Sequence, residues 1–132
     1  MKKVFCSGTF DILHRGHMEF LKDAKKQGDY LIVFVVSDKS VYENKKKNPI
    51  NKQKKRAEAV EELEIGDEVV AVSDDLEKNI ELLFKIKPDV FVVGYDQKSS
   101  AINKLKKILS EKGVKIYVSK EYSGGIHASD LI

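Results

Sequence analysis

An α/β fold built on a parallel sheet is what this sequence predicts, and three observations predict it. Short β-branched or aromatic runs alternate about five times with stretches of helical periodicity. Two of the runs, Tyr30–Val36 and Val90–Val93, are apolar without alternation, as in parallel strands buried on both faces. Between the first strand and the first helix lies Gly8-Thr9-Phe10-Asp11-Ile12-Leu13-His14-Arg15-Gly16-His17, a turn that carries glycines and two histidines. In open sheets of this class, ligands bind beyond the carboxyl ends of the strands, and this turn falls at such an end.

The elements follow in order. Lys3–Ser7 reads as the first strand, and a helix runs from Met18 to about Gln27, stopping at Gly28. Tyr30–Val36 is the second strand and ends on polar Ser37-Asp38. Ser40–Glu43 reads as a short helical turn, and Asn44–Asn51 as a polar loop containing Pro49. Lys52–Leu63 is helical, with Ala57, Val60 and Leu63 on one face. Gly66-Asp67 is a turn and Glu68–Val72 a short strand. Leu76–Ile86 is a helix expected to turn Ile80, Leu83 and Phe84 inward, ended by Lys87-Pro88-Asp89. Val90–Val93 opens into Gly94-Tyr95-Asp96-Gln97. Ala101–Lys112 is a helix with Ile102, Leu105 and Leu109 on one side, closed by Gly113. Val114–Val118 is the last strand, Ser123-Gly124-Gly125 a loop, and Ile126–Ile132 the start of a short helix. The expectation is one domain over 1–132, right-handed crossovers and no internal repeat.

Composition narrows the class. At 42% hydrophobic and 34% charged residues, the chain reads as globular. It has neither a membrane-length apolar run nor a signal-peptide core, so the expected location is cytoplasmic, with no membrane partner. The single Cys6 forbids an internal disulfide and reads as a buried, inert thiol. Net charge is +3, but Lys45, Lys46, Lys47, Lys52, Lys54, Lys55 and Arg56 cluster without an acid among them. Such a cluster suits an anionic ligand nearby better than a nucleic-acid partner, for which no recognition motif is present. The plain alternative is a solvated lysine-rich loop.

The chemistry sits in the histidine turn. A helix start presents backbone N–H groups and a positive dipole end to an anion. His14 and His17, three apart, add donors that follow charge as it develops on phosphate oxygens, while Gly16 leaves room for phosphate against the backbone. Two other readings compete. One is a core histidine beside an exposed one. The other is zinc, which needs three protein ligands, and His127 is the only further histidine. Asp11 reads as scaffold, Asp38 as a candidate substrate ligand, and Asp96 as a contact to base or ribose.

Gly8-Thr9-Phe10-Asp11 followed by His14-Arg15-Gly16-His17 resembles the signature of the cytidylyltransferase-like nucleotidyltransferases. That group includes glycerol-3-phosphate, choline-phosphate and ethanolamine-phosphate cytidylyltransferases and archaeal FAD synthetases. The resemblance extends through Ser37-Asp38, Arg56 and Gly94-Tyr95-Asp96. It implies a Rossmann-like three-layer sandwich with a five-stranded parallel sheet, Mg2+ held through the nucleotide phosphates, and a homodimer. The acceptor's phosphate would attack the α-phosphorus of a nucleoside triphosphate, His14 and His17 would steady the transition state, and pyrophosphate would leave. The resemblance makes Gly8, Thr9, Phe10, Gly16, Gly94 and Asp96 nucleotide-binding. It makes one of Lys45, Lys46 and Lys47 (Lys46 the choice) the counterpart of a loop lysine, and Arg56 that of a phosphate-contacting arginine. The carboxyl end departs from the family's Arg-Thr-Glu-Gly-Ile-Ser-Thr-Thr: here it reads Tyr122-Ser123-Gly124-Gly125-Ile126-His127-Ala128-Ser129, leaving His127 and Ser129 as candidate phosphate donors.

The reaction expected is transfer of a nucleoside monophosphate to a small phosphorylated acceptor. CTP with glycerol 3-phosphate or a similar phospho-alcohol comes first. FMN adenylyltransferase is the alternative, because Gly94-Tyr95-Asp96-Gln97 resembles the archaeal FAD synthetase segment. A nucleotide-binding module without turnover is a third reading, and a nucleic-acid-binding protein ranks last.

Overall fold

The computed structural model describes residues 1–95 and 97–120. Ten elements alternate along the chain: β1 Lys3–Gly8, α1 Arg15–Lys25, β2 Tyr30–Val35, α2 Asp38–Lys45, α3 Gln53–Glu62, β3 Glu68–Ala71, α4 Leu76–Ile86, β4 Val90–Gly94, α5 Ser100–Glu111 and β5 Lys115–Ser119. The five strands form one parallel sheet in the order β3-β2-β1-β4-β5. The chain therefore winds outward from β1 in one direction and, from β4 onward, in the other. The order reverses between β1 and β4, which is where open α/β sheets place their ligand crevice.

Both faces of the sheet are covered, as the unalternated strands require. On β1, Val4 and Cys6 join the core cluster that holds Phe20, Leu21 and Ala24 of α1 and Ala57 and Val60 of α3. Phe5, between them, joins the opposite cluster with Ile80 and Leu83 of α4 and Leu105 and Leu109 of α5. This two-residue alternation puts one helical layer on each side. Phe5 anchors the second face by meeting Phe34 edge-on at 4.6 Å and Phe91 stacked at 4.9 Å. Cys6 is fully buried, and burial pushes its thiol well above the ordinary range, so it is inert as expected.

Several boundaries differ from the expectation for local reasons. α1 starts at Arg15, inside the histidine turn, because His14 itself serves as the N-cap. Gly28, expected to end α1, is needed for close approach: a Cβ there would stand 2.7 Å from Val4 Cγ2 and 2.8 Å from the Lys2 carbonyl. α2 is an eight-residue helix rather than a single turn, started by Ser37 Oγ accepting from the Ser40 N–H at 3.1 Å. Phe84 does not turn inward. It is 41% exposed, and Lys112 Nζ lies 5.2 Å from its ring centre. Ile80 and Leu83 already fill that face of α4, which leaves Phe84 at the helix flank. The expected Ser123–Gly125 loop and Ile126–Ile132 helix lie outside the described residues.

Candidate active site

The turn after β1 is shaped by one folded-back ring. Phe10 takes a left-handed φ of 53°, unusual for a bulky residue, and is buried. A Cβ on Gly8 would come within 2.8 Å of its ring, so only glycine fits beneath it. The ring then packs on His17 at 5.5 Å between centroids. This brings the polypeptide back toward the start of α1.

There the two histidines are held by each other's backbone. The His14 N–H donates to His17 Nδ1 at 3.2 Å, and the Gly16 N–H donates to His14 Nδ1 at 3.3 Å. A ring nitrogen that accepts carries no proton, so these bonds assign the remaining N–H of each neutral imidazole to Nε2. The rings lie 4.9 Å apart at 53°. His17 is 2% exposed and packs against Phe10 and His14, and His14 is half-buried. Two N–H donors with set tautomers therefore stand at the positive end of a helix.

Arg56 departs furthest from expectation. It does not reach out as a phosphate contact; its side chain is 0% exposed. Nε donates to the Asn51 carbonyl at 2.9 Å, Nη1 to the Thr9 carbonyl at 2.7 Å and Nη2 to Asp38 Oδ1 at 2.7 Å. Asp38, expected on substrate, is thus engaged by Arg56. Asp11 is scaffold as read from sequence: its two carboxylate oxygens accept from the N–H groups of Ile50 and Asn51 at 2.7 and 2.8 Å, and Asn51 Nδ2 donates back to the Asp11 carbonyl. Arg56 and Asp11 together pin the histidine turn to the segment entering α3.

On the far side of the switch point, Gln97 bridges the separating strands. Its Nε2 donates to the Ser7 carbonyl at 3.0 Å, and its Oε1 accepts from the Gly94 N–H at 2.8 Å. Gly94 ends β4 there, as expected, while Asp96 lies outside the described residues, as do His127 and Ser129.

Beside the turn opens a cavity of about 630 Å3, lined by Ser7, Gly8 and Thr9 of the turn and by residues of α2, α4 and α5. His14, His17 and Asp38 do not line it. Of the three candidate lysines, Lys45 borders the cavity, whereas Lys46 is the exposed, left-handed C-cap of α2 and Lys47 is exposed. Sequence reasoning missed the cavity, Gln53, Asn51 and the role of Gln97. None carries a local pattern, since each works through contacts distant along the chain. Among the described residues, no three His, Cys, Asp or Glu side chains come together to hold a metal ion, and no helix is long and apolar enough to cross a membrane.

A doubly wound parallel sheet with a histidine-capped helix at its switch point is here the frame of a nucleotidyltransferase, and the chain belongs to the Cytidylyltransferase-like family, whose model matches residues 5–131. Two of its curated relatives are FAD synthases. It is 44% identical to the FAD synthase of Ferroglobus placidus, over 89% of this chain and 74% of that one. It is 36% identical to the FAD synthase of Picrophilus torridus, over 98% and 92%. Among solved structures, it superimposes on the lipopolysaccharide core biosynthesis protein of Thermoplasma volcanium GSS1 with a TM-score of 0.71 and 34% identity, over 91% and 95% of the two chains. A pantoate-β-alanine ligase from Francisella tularensis, 16% identical with a TM-score of 0.58, shares the fold. The expectation of a glycerol-3-phosphate cytidylyltransferase gives way here to its alternative, because the relatives' name is FAD synthase.

Proposed function

We propose that this protein transfers AMP from ATP to the phosphate of FMN, forming FAD and pyrophosphate. The observation that carries the transfer chemistry is the histidine pair: two imidazoles with Nε2–H donors at a helix N-terminus beyond the sheet's carboxyl edge. An FMN phosphate oxygen attacks the α-phosphorus of ATP, a new P–O bond forms, and the bond to the bridging oxygen breaks. The electron pair leaves with pyrophosphate. The nucleophile is already an anion, so no base is needed. Charge gathers on the α-phosphate oxygens during the step, and the imidazole N–H donors of His14 and His17 and the turn's backbone lower the barrier there. Gly8, Thr9, Phe10 and Gly16 cradle phosphate or ribose, Gly94 and Asp96 take part in binding the nucleotide, and His127 and Ser129 are phosphate donors. Lys45, rather than Lys46, is the lysine that offsets phosphate charge in the site, since it borders the cavity. Arg56 acts as a positioning residue through Thr9 and Asp38.

With no cage of acids among the described residues, a magnesium ion would ride on the triphosphate oxygens, the usual manner for that ion. Bound there, it supplies charge neutralisation on the phosphates.

FMN is favoured over glycerol 3-phosphate by the relatives' name and by the cavity. Its volume of about 630 Å3 is in the range that takes drug-sized ligands, far more than a phospho-alcohol fills. The test is to incubate the protein with magnesium, ATP or CTP, and FMN or glycerol 3-phosphate, following FAD by chromatography and pyrophosphate by a coupled assay. FAD with stoichiometric pyrophosphate from ATP and FMN, lost in His17→Ala, is expected. Pyrophosphate from CTP and glycerol 3-phosphate alone would overturn the choice of acceptor.

A further inference from the structure

The cavity beside the histidine turn has a mixed lining. Ser7, Gly8, Thr9, Lys45 and Gln97 contribute polar groups, and Glu43 and Asp74 contribute acids. Phe34, Leu83 and Leu105 belong to the buried core and form an apolar floor, while Leu76 of α4 and Ile102 of α5 are half-buried and exposed in part to the cavity. A ligand that covers the exposed parts of Leu76 and Ile102 adds apolar burial. A phosphoester carrying a flat aromatic ring suits such a lining, phosphate to the turn and ring to the apolar side chains. A phospho-alcohol has no part that would cover them.

The geometry points to this cavity as the seat of the acceptor's ring. The isoalloxazine of FMN lies between α4 and α5, and the ribityl chain leads its phosphate to Gly8 and Thr9 beside Lys45. This rests on the proposed transfer to FMN, and it makes Leu76 and Ile102 specificity-determining for the acceptor. It also explains why α2 continues to Lys45. Val41 and Lys45 stand a turn apart on the same helix, and both line the cavity. One helix thus supplies an apolar wall at one level and a cation at the next.

The experiment separates ring binding from transfer. Riboflavin has the ring and lacks the phosphate, and its fluorescence anisotropy reports binding without any turnover. Two variants are compared with the unaltered chain. Ile102→Gln places an amide on the half-buried apolar wall. Ala101→Trp fills the cavity from the first turn of α5, at a half-exposed position where the core is undisturbed. The expected result is saturable riboflavin binding that weakens about tenfold or more in both variants, a parallel rise in KM for FMN, and a KM for ATP within about twofold. Should Ile102→Gln fail to fold, Ala101→Trp alone decides. Unchanged riboflavin binding and unchanged FMN KM in Ala101→Trp, with FAD still formed, overturn the ring site and leave the transfer reading standing. Riboflavin binding that Ala101→Trp abolishes, in a protein that makes no FAD, upholds the ring site and sinks the transfer reading. Absence of riboflavin binding to the unaltered protein overturns the ring site outright.

Discussion

At the amino edge of the sheet, the N–H groups where strands begin are met by carboxylates. Lys2 N donates to Asp29 at 2.7 Å, Lys3 N to Asp89 at 2.8 Å and Leu31 N to Asp67 at 2.7 Å. At the carboxyl edge, the carbonyls where strands end are met by amides and a guanidinium. Gln53 Nε2 donates to Val35 and Val72, Gln97 Nε2 to Ser7, and Arg56 to Thr9 just beyond β1. In a parallel sheet every strand leaves orphan donors at one edge and orphan acceptors at the other, and each must find a partner. The amino edge is therefore finished with acids and the carboxyl edge with neutral or cationic donors. The difference teaches why phosphate chemistry belongs at the second edge: its stitching adds no negative charge, and the carboxylates of Asp11 and Asp38 are already engaged by donors.

The comparison breaks most severely where chemistry is lost without loss of fold. His17→Ala removes one donor from the transition state and frees the His14 N–H. A fall of about 100-fold or more in kcat is expected, from roughly 3 kcal/mol for one such donor. Single-turnover FAD formation checks it, with far-UV circular dichroism unchanged. No substitution at the amino edge should approach this: Asp29→Asn is expected to leave kcat within about twofold, since its carboxylate accepts from the Lys2 N–H at the edge opposite the histidine turn.

Next comes the tie that joins both functions of the carboxyl edge. Arg56→Lys keeps the charge but cannot reach three acceptors in three directions with one ammonium. A stability loss of about 2–4 kcal/mol is expected, read from the urea midpoint, because Thr9, Asn51 and Asp38 lose buried or part-buried bonds. Transfer should fall as well, through the loosened turn. Lys45→Ala is the sharpening control, expected to leave the midpoint unchanged while activity drops.

How far these differences were legible in the sequence depends on the range of the interaction. The α/β class, the five strands, the buried faces of α3 and α5 and the histidine turn all follow from periodicity and local chemistry. Strand order did not, because it depends on which strand each crossover returns to. Phe84 was misjudged for a related reason: its helical phase is near that of Ile80 and Leu83, and only the packed sheet shows how wide a face is covered. Arg56 reads as a free cation in a lysine-rich stretch until the Thr9 carbonyl and Asp38 are brought beside it. Gln53 and Gln97 are silent in sequence, as a glutamine's partners lie wherever the fold puts two strand ends. The cavity is silent in the same way.

Those glutamines give a smaller test. Gln53→Ala and Gln97→Ala each leave two strand-end groups to water, for an expected loss of about 1–2 kcal/mol in the urea midpoint. The two should differ in activity. Gln53 bridges β2 and β3, away from the switch point, and its loss should leave KM for both substrates unchanged. Gln97 borders the cavity at the switch point, so its loss should also raise KM for FMN.

The least effect is expected from Asp67, and its pH dependence identifies which edge it serves. Its carboxylate accepts from the Leu31 N–H and from the Lys25 ammonium, and these bonds hold its pKa below the ordinary carboxylate value, the Lys25 bond contributing most. A lowered folded value means that the ionised form is favoured by folding. The stabilisation is then full above the ordinary carboxylate range and is lost as pH falls through the folded value. The pair is partly solvated, so it is worth about 1 kcal/mol or less. Asp67→Asn keeps an acceptor for Leu31 and loses only the ion pair. Urea midpoints of the two proteins should differ slightly at neutral pH, converge as pH drops below the carboxylate range, and converge also at high salt. A difference that persists in acid would mean that Asp67 acts through its shape in the turn rather than through its charge. The rule that acids finish the amino edge would then rest on Asp29 and Asp89 alone.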